Sequence, residues 1–412
     1  MNDSKMFSNN SAGIWKKSRR FFYMIQNIGE NCKYLLKFKE EMTMTSMERY
    51  QKMLSLAPYA SRDEMPVFPM MLASYGTLGG VSQKDICASA DKWIEAIAKT
   101  FAVIGKPDVS MAVCPGDTIF LMGLPARIPG RELPDDALYQ FIETPYFEDP
   151  AEYQRILEIG WERWSAEYLM NVQNPPMTNP GQLGARFGEF AANAAKTFGF
   201  IYSQGVVPDF DGACAPIFDT LSMARSMMEF TCDLMEDPGP IVDILRRFQP
   251  GADMATIGQV KASHGTRVGS FAMRSSATFV SPAVFDEIVW PVMKESILRF
   301  HEAGLVYVLH ADANWGPMMK YFTELPKGCV HVELDGATDI EAAYDTLRGW
   351  QSIRGDVPAA MLAYDSVETV SAYCEKLINM GMRGGFMLGS GCEVPLNAKP
   401  ENVKAMIDAL RG

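Results

Sequence analysis

The chain has 412 residues and a formal net charge of −12, with a pI near 5.0, which excludes a nucleic-acid binder because neutralising phosphates takes clustered Lys and Arg. Its composition, 48% hydrophobic and 21% charged, is globular with enough apolar material for a large core. No stretch offers the roughly 18 uninterrupted apolar residues of a membrane span, and eight cysteines scattered without CxxC pairs point to a reducing, cytoplasmic compartment.

Residues 1–41 stand apart. KKSRRFF and KYLLKFK make them basic, and acids are few before Glu40 and Glu41. Such segments can be targeting peptides or membrane-surface helices. Met42, Met44 and Met47, just before the first domain-like helix, favour instead an N-terminal extension from an upstream start codon, expected to pack poorly. A single domain is expected over residues 47–412. In it DVSMAV (108–113), FGFIYSQG (198–205), RVGSFAM (267–273), LVYVLHAD (305–312), CVHVELD (329–335), AAMLAYD (359–365) and GGFMLGSG (384–391) read as strands. Between the later ones, SPAVFDEIVWPVMKESILRFHEAG, DIEAAYDTLRGWQ and SVETVSAYCEKLINMG read as helices. Strands of consecutive apolar residues, each followed by a helix, indicate a parallel sheet covered on both faces. Their number fits an α/β protein with a closed (β/α)₈ TIM barrel. No GxGxxG follows a strand to suggest a dinucleotide site. Residues 125–195, rich in Pro, Gly and aromatics, are expected to form an insertion capping the barrel mouth.

Barrel chemistry collects where strands finish. His310 and Asp312 lie two apart and in phase, as do His331, Glu333 and Asp335; Asp365 ends the next apolar run and Cys392 the last. A thiolate, an imidazole and a carboxylate converging from separate strands would satisfy three positions of a tetrahedral zinc and leave the fourth to substrate. Singly, each has an ordinary explanation. Buried cysteine packs as a small hydrophobe, Glu333 and Asp335 can cap or pair, and strand-end or helical histidines such as His331, His264 and His301 are commonly just hydrogen-bonded. Tyr75, Trp315, Tyr364 and Phe386 give the expected mouth segments an aromatic character.

Two longer motifs carry a family likeness. DFDGACAPIFDTLSMARSMMEFTCDLMEDPGPIVDIL (209–245) and the closing GGFMLGSGCEVPLNAKPENVKAMIDAL (384–410) resemble the uroporphyrinogen decarboxylase superfamily, and the likeness runs in order over nearly all of residues 47–412. It implies the same barrel. True decarboxylases of this superfamily carry arginines after a PVW-like sequence, for a substrate with many carboxylates; here PVFPMMLASYGTLGG (66–80) has none. The likeness is instead to the corrinoid-dependent methyltransferase branch, typified by methylcobalamin:coenzyme M enzymes, which hold zinc on a His-x-Cys pair and a final Cys. By position His310 and Cys392 match, whereas Asp312 stands where the family has cysteine.

That exchange makes a harder, more Lewis-acidic zinc, suited to polarising the ether oxygen of a methoxy group. The resemblance thus implies a zinc-dependent methyltransferase that moves a methyl group from a small methoxylated, aromatic compound to the cobalt of a separate corrinoid protein. The corrinoid must arrive on a partner, because the DxHxxG signature is absent and the chain has 4 histidines. Metal ligands are expected at His310, Asp312 and Cys392, with Glu333 the alternative carboxylate. Glu333 or Asp365 is expected as a proton donor, and Tyr75, Asn314, Trp315 and Tyr364 as substrate contacts. Alternatives are a methylcorrinoid:thiol methyltransferase, a decarboxylase of a simpler acid, and a barrel that has lost its metal and serves as a binding subunit. Family members are often homodimers; no interface is legible in this chain.

Overall fold

The computed structural model describes residues 45–411, so the basic extension 1–41 lies outside the described residues. Eight parallel strands close into a ring: β1 (Val67–Phe68), β2 (Val109–Ser110), β3, β4 (Arg267–Phe271), β5 (Val306–Ala311), β6 (Val330–Leu334), β7 (Ser352–Val357) and β8 (Phe386–Ser390). β3 runs in two pieces, Val207–Pro208 and Gly212–Cys214, separated by a bend. Pro208 has no N–H to continue a ladder. The first piece pairs with β2 and the second with β4, so one interrupted strand joins two halves of the sheet. Closure comes from β1 pairing with β8 and from the Asp108 N–H donating to the Val67 carbonyl (3.1 Å).

The sequence reading places β2, β4, β5, β6 and β8 within a few residues and misplaces two strands. FGFIYSQG lies largely inside the helix Pro180–Ser203, with β3 beginning only at Val207. A short apolar run in a buried helix cannot be told from a strand by periodicity alone. AAMLAYD is the helix Ala359–Tyr364; the seventh strand is SIRGDV, whose Arg354 and Asp356 are both buried. Asp365 therefore follows a helix rather than a strand.

Consecutive residues of β6 alternate in role. Val330, Val332 and Leu334 join the apolar core, while His331 and Glu333 are buried on the opposite, barrel-interior side. The region 125–195 forms a small antiparallel pair, Ala126–Arg127 with Gln140–Phe141, and the helices Ala151–Ile159 and Trp161–Val172. Trp164 stacks between Trp161 and Tyr168 there, with ring centroids 5.2 and 5.4 Å away. No helix among the described residues is long and apolar enough to cross a membrane.

Gly269 on β4 admits the ring of Phe210, from the β3 bend; a Cβ at this glycine would lie 2.6 Å from that ring. Phe210 in turn meets Phe271 edge-on at 5.8 Å. Gly269→Ala is expected to overpack this contact and cost about 1–3 kcal/mol, read as a lowered midpoint in thermal or urea unfolding.

Candidate metal centre

β5 ends at Ala311, and the chain turns at once. Ala313 takes φ of +64°, a left-handed conformation that costs a non-glycine residue about 1–2 kcal/mol. Its neighbours hold it there. The Ala313 N–H donates to Asp335 Oδ2 (2.6 Å), Trp315 N–H to Thr338 Oγ1 (2.8 Å), and the Trp315 indole N–H to the Asp312 carbonyl (2.9 Å). The turn leaves the Asp312 side chain 30% exposed and its Oδ1 3.4 Å from His310 Nε2.

The third group comes from the far side of the ring. After β8 the chain bends through Gly391, where a Cβ would sit 2.6 Å from the Asp335 carbonyl oxygen, so only glycine lets the loop approach β6 this closely. Ser390 Oγ receives the Met70 N–H (2.9 Å) and donates to the Cys392 carbonyl (2.7 Å). The half-buried Cys392 Sγ then lies 3.8 Å from His310 Nε2. One donor atom each from His310, Asp312 and Cys392 falls within 4.8 Å of the others.

This set fits zinc on two counts. Donor distances of about 2.0–2.3 Å in a tetrahedron put nitrogen and oxygen ligands about 3.3 Å apart, and nitrogen and sulfur about 3.6 Å; around His310 Nε2 they are 3.4 and 3.8 Å, while the Asp312 and Cys392 donors lie within 4.8 Å of each other. His310 also turns its other nitrogen, Nδ1, to Glu333 Oε2 at 3.2 Å, the outer contact that fixes the ring of a metal-bound histidine. Glu333 thus engages the side of the ring opposite Nε2, which faces Asp312 and Cys392.

Glu333 belongs to a charged row. Register pairs Phe271 with His310, His310 with Glu333, and Glu333 with Arg354 across β4 to β7. Burial would raise the Glu333 pKa, but Arg354 and His310 hold it below the usual carboxylate range. Arg354 Nε lies 3.3 Å from Glu333 Oε1. Asp209, in the β3 bend, is pushed well above the carboxylate range by burial and then by Glu333. His331 accepts or donates at Nδ1 to Ser352 Oγ (2.9 Å), and burial lowers its pKa to about 4. For His310 burial acts downward too, but hydrogen bonds to Asp312, Cys392 and Glu333 raise it well above the usual histidine value.

The other sequence candidates lie elsewhere. Tyr75 is fully buried, its hydroxyl on Ser110 Oγ (2.6 Å). Trp315 is buried against Phe285 and Phe322 and acts on the Asp312 backbone. Phe386 is buried against Tyr344. These aromatics are core, where apolar area gains most from leaving water. Asn314 is exposed, its Oδ1 taking the Gly316 N–H (2.9 Å). Tyr364 is exposed, its hydroxyl taking an Asn397 N–H (3.1 Å). Asp365 is exposed as well, and Lys399 and Asn402 bind its backbone carbonyl. Sequence reasoning missed Arg354, Asp209 and Asp219. Asp219, which accepts from Arg274 N–H and Ser275 Oγ, is raised to about 6 by burial. The charged SIRGDV strand and the DFD preceding a glycine were the available signals.

Comparison with known proteins places the chain. The family model described as uroporphyrinogen decarboxylase (URO-D) matches residues 212–412. That C-terminal half belongs to the uroporphyrinogen decarboxylase superfamily. Among solved structures, a methyltransferase from Methanosarcina mazei is similar over 89% of this chain and 98% of its own, with a TM-score of 0.58 and 14% identity. No curated protein matches. The superfamily's matched segment spans the second piece of β3 through the end of the chain, and so contains all three donors.

Cys392→Ala is expected to abolish tight zinc binding, and Glu333→Gln to weaken it about 10- to 100-fold, in competition titrations against a chromophoric chelator. Zinc takes the neutral imidazole and the thiolate, so a proton on His310 competes with it. Affinity should therefore fall as pH is lowered, by about tenfold per pH unit for each proton displaced. An affinity independent of pH between 6 and 8 would contradict the assignment.

Proposed function

We propose that this chain is a zinc-dependent methyltransferase that takes the methyl group of a small methoxylated aromatic compound and passes it to cobalt(I) of a separate corrinoid protein. The observation that carries this reading is the donor set itself: one imidazole, one carboxylate and one thiol sulfur at zinc-compatible spacing, at the mouth of the superfamily's barrel. The likeness in fold to a methyltransferase from Methanosarcina mazei supports the reaction class.

His310, Asp312 and Cys392 would hold the ion. When bound, zinc supplies a Lewis acid toward an ether oxygen. The residues here determine its strength and access. A carboxylate at Asp312 is a harder donor than a second thiolate, which favours oxygen over sulfur as the atom addressed. Glu333 orients the His310 ring; buried and ionised, it serves as an acceptor rather than a proton donor. The side chains of Asp312 and Cys392 are only partly buried, which leaves approach from the mouth open to the donor molecule and to the partner's cobalt. In the reaction the methyl carbon–oxygen bond breaks and a carbon–cobalt bond forms with the electron pair of cobalt(I). The released phenolate takes its proton from water.

The test is purified protein with a guaiacol-like methoxyarene and a reduced corrinoid protein. The expected result is a methyl-cobalt(III) spectrum with release of the free phenol, and loss of both in Cys392→Ala. Metal analysis is expected to give about one zinc per chain. Methyl transfer from a methylated corrinoid to a thiol, with no attack on methoxyarenes, would assign the opposite direction instead. Full activity of a metal-free preparation would overturn both.

A further inference from the structure

Among the described residues, Arg354 is the largest charged side chain with no exposure at all. A guanidinium removed from water costs several kcal/mol unless its donors are met, so its partners show what it is for. One edge faces Glu333 as an ion pair, Nε 3.3 Å from Oε1, with neither atom in a hydrogen bond. The other faces the loop of Cys392: Nη1 donates to the Ser390 carbonyl (2.9 Å) and Nη2 to the Gly391 carbonyl (3.3 Å). Its plane sits over the Phe68 ring, 4.9 Å from the centroid. Space for its stem exists only because residue 389 is glycine; a Cβ there would lie 2.6 Å from Arg354 Cγ and 2.8 Å from Cδ.

These contacts connect two parts of the centre. Glu333 holds His310 through Nδ1, and Gly391 immediately precedes Cys392. We propose that Arg354 is a positioning residue that sets the separation of His310 and Cys392, gripping Glu333 with one edge and the backbone before Cys392 with the other. The role rests on the reading of His310 and Cys392 as ligands of one ion. It also requires the planar fork of arginine, since an ammonium can neutralise Glu333 but cannot span to both carbonyls. A simple counter-charge for Glu333 would be satisfied by lysine.

Arg354→Lys separates the two roles, because it keeps the buried charge pair and drops the fork. Gly389→Ala, which crowds the arginine stem without removing charge, is the second variant should Arg354→Lys fail to fold. Two readouts apply. In metal-free protein, alkylation of Cys392 by iodoacetamide is followed by peptide mass mapping; the rate is expected to rise about tenfold as the loop loosens. In the cobalt(II)-substituted protein, the thiolate-to-cobalt charge-transfer band is expected to weaken and cobalt affinity to fall about tenfold or more, the range for loss of an outer-shell contact. Glu333→Gln, which leaves both carbonyl contacts intact, should lower cobalt affinity while leaving the alkylation rate unchanged. Wild-type alkylation and a wild-type cobalt spectrum in folded Arg354→Lys would overturn the proposal. Absence of any thiolate band in the wild type would overturn the metal assignment alone, since the alkylation comparison needs no ion.

Discussion

Charge inside a barrel is the constraint on which this structure turns. Barrel interiors are ordinarily filled by branched apolar side chains, yet register here sets His310, Glu333 and Arg354 side by side on three adjacent strands, all but inaccessible to water. Each depends on the next. An unpaired Glu333 or Arg354 at this depth would carry the full desolvation penalty, so the row is stable only as a set. Asp209 joins it from the bend in β3, its carboxyl pushed upward by burial and by Glu333. The arrangement makes the orientation of one imidazole a property of the whole ring rather than of its own strand.

How much of this was legible in the sequence depends on which side of the sheet a residue faces. β4, β5, β6 and β8 read as strands because their outward positions pack on helices and give near-continuous apolar runs. β7 did not, since SIRGDV carries Arg354, Gly355 and Asp356 where a buried strand is expected to be apolar. The run AAMLAYD just after it drew the assignment instead. β1 and the two pieces of β3 have only two or three bonded residues each, too few for any period to show, whereas β2, equally short, was read within the apolar run DVSMAV.

The candidate centre divides in the same way. His310 and Asp312 could be singled out by their two-residue spacing, and Cys392 by its place in the closing motif. Arg354 and Asp209 act across neighbouring or distant strands, and no local pattern encodes which strands a closing ring will bring together. The aromatic candidates Tyr75, Trp315 and Phe386 are buried for the opposite reason. They do lie close in sequence to strand ends, but a large ring gains more from the core than from a wet mouth. Trp315 retains a bearing on the centre through its indole N–H, which holds the backbone of Asp312.

The turn at Ala313 ties one strand end to the next. A left-handed alanine held by Asp335 and Thr338, with the tryptophan indole on the preceding carbonyl, stores strain that a glycine would not. Both anchors follow β6, so where the Asp312 carboxylate stands is decided by the loop of the neighbouring strand, and a change at Asp335 or Thr338 reaches it without touching β5.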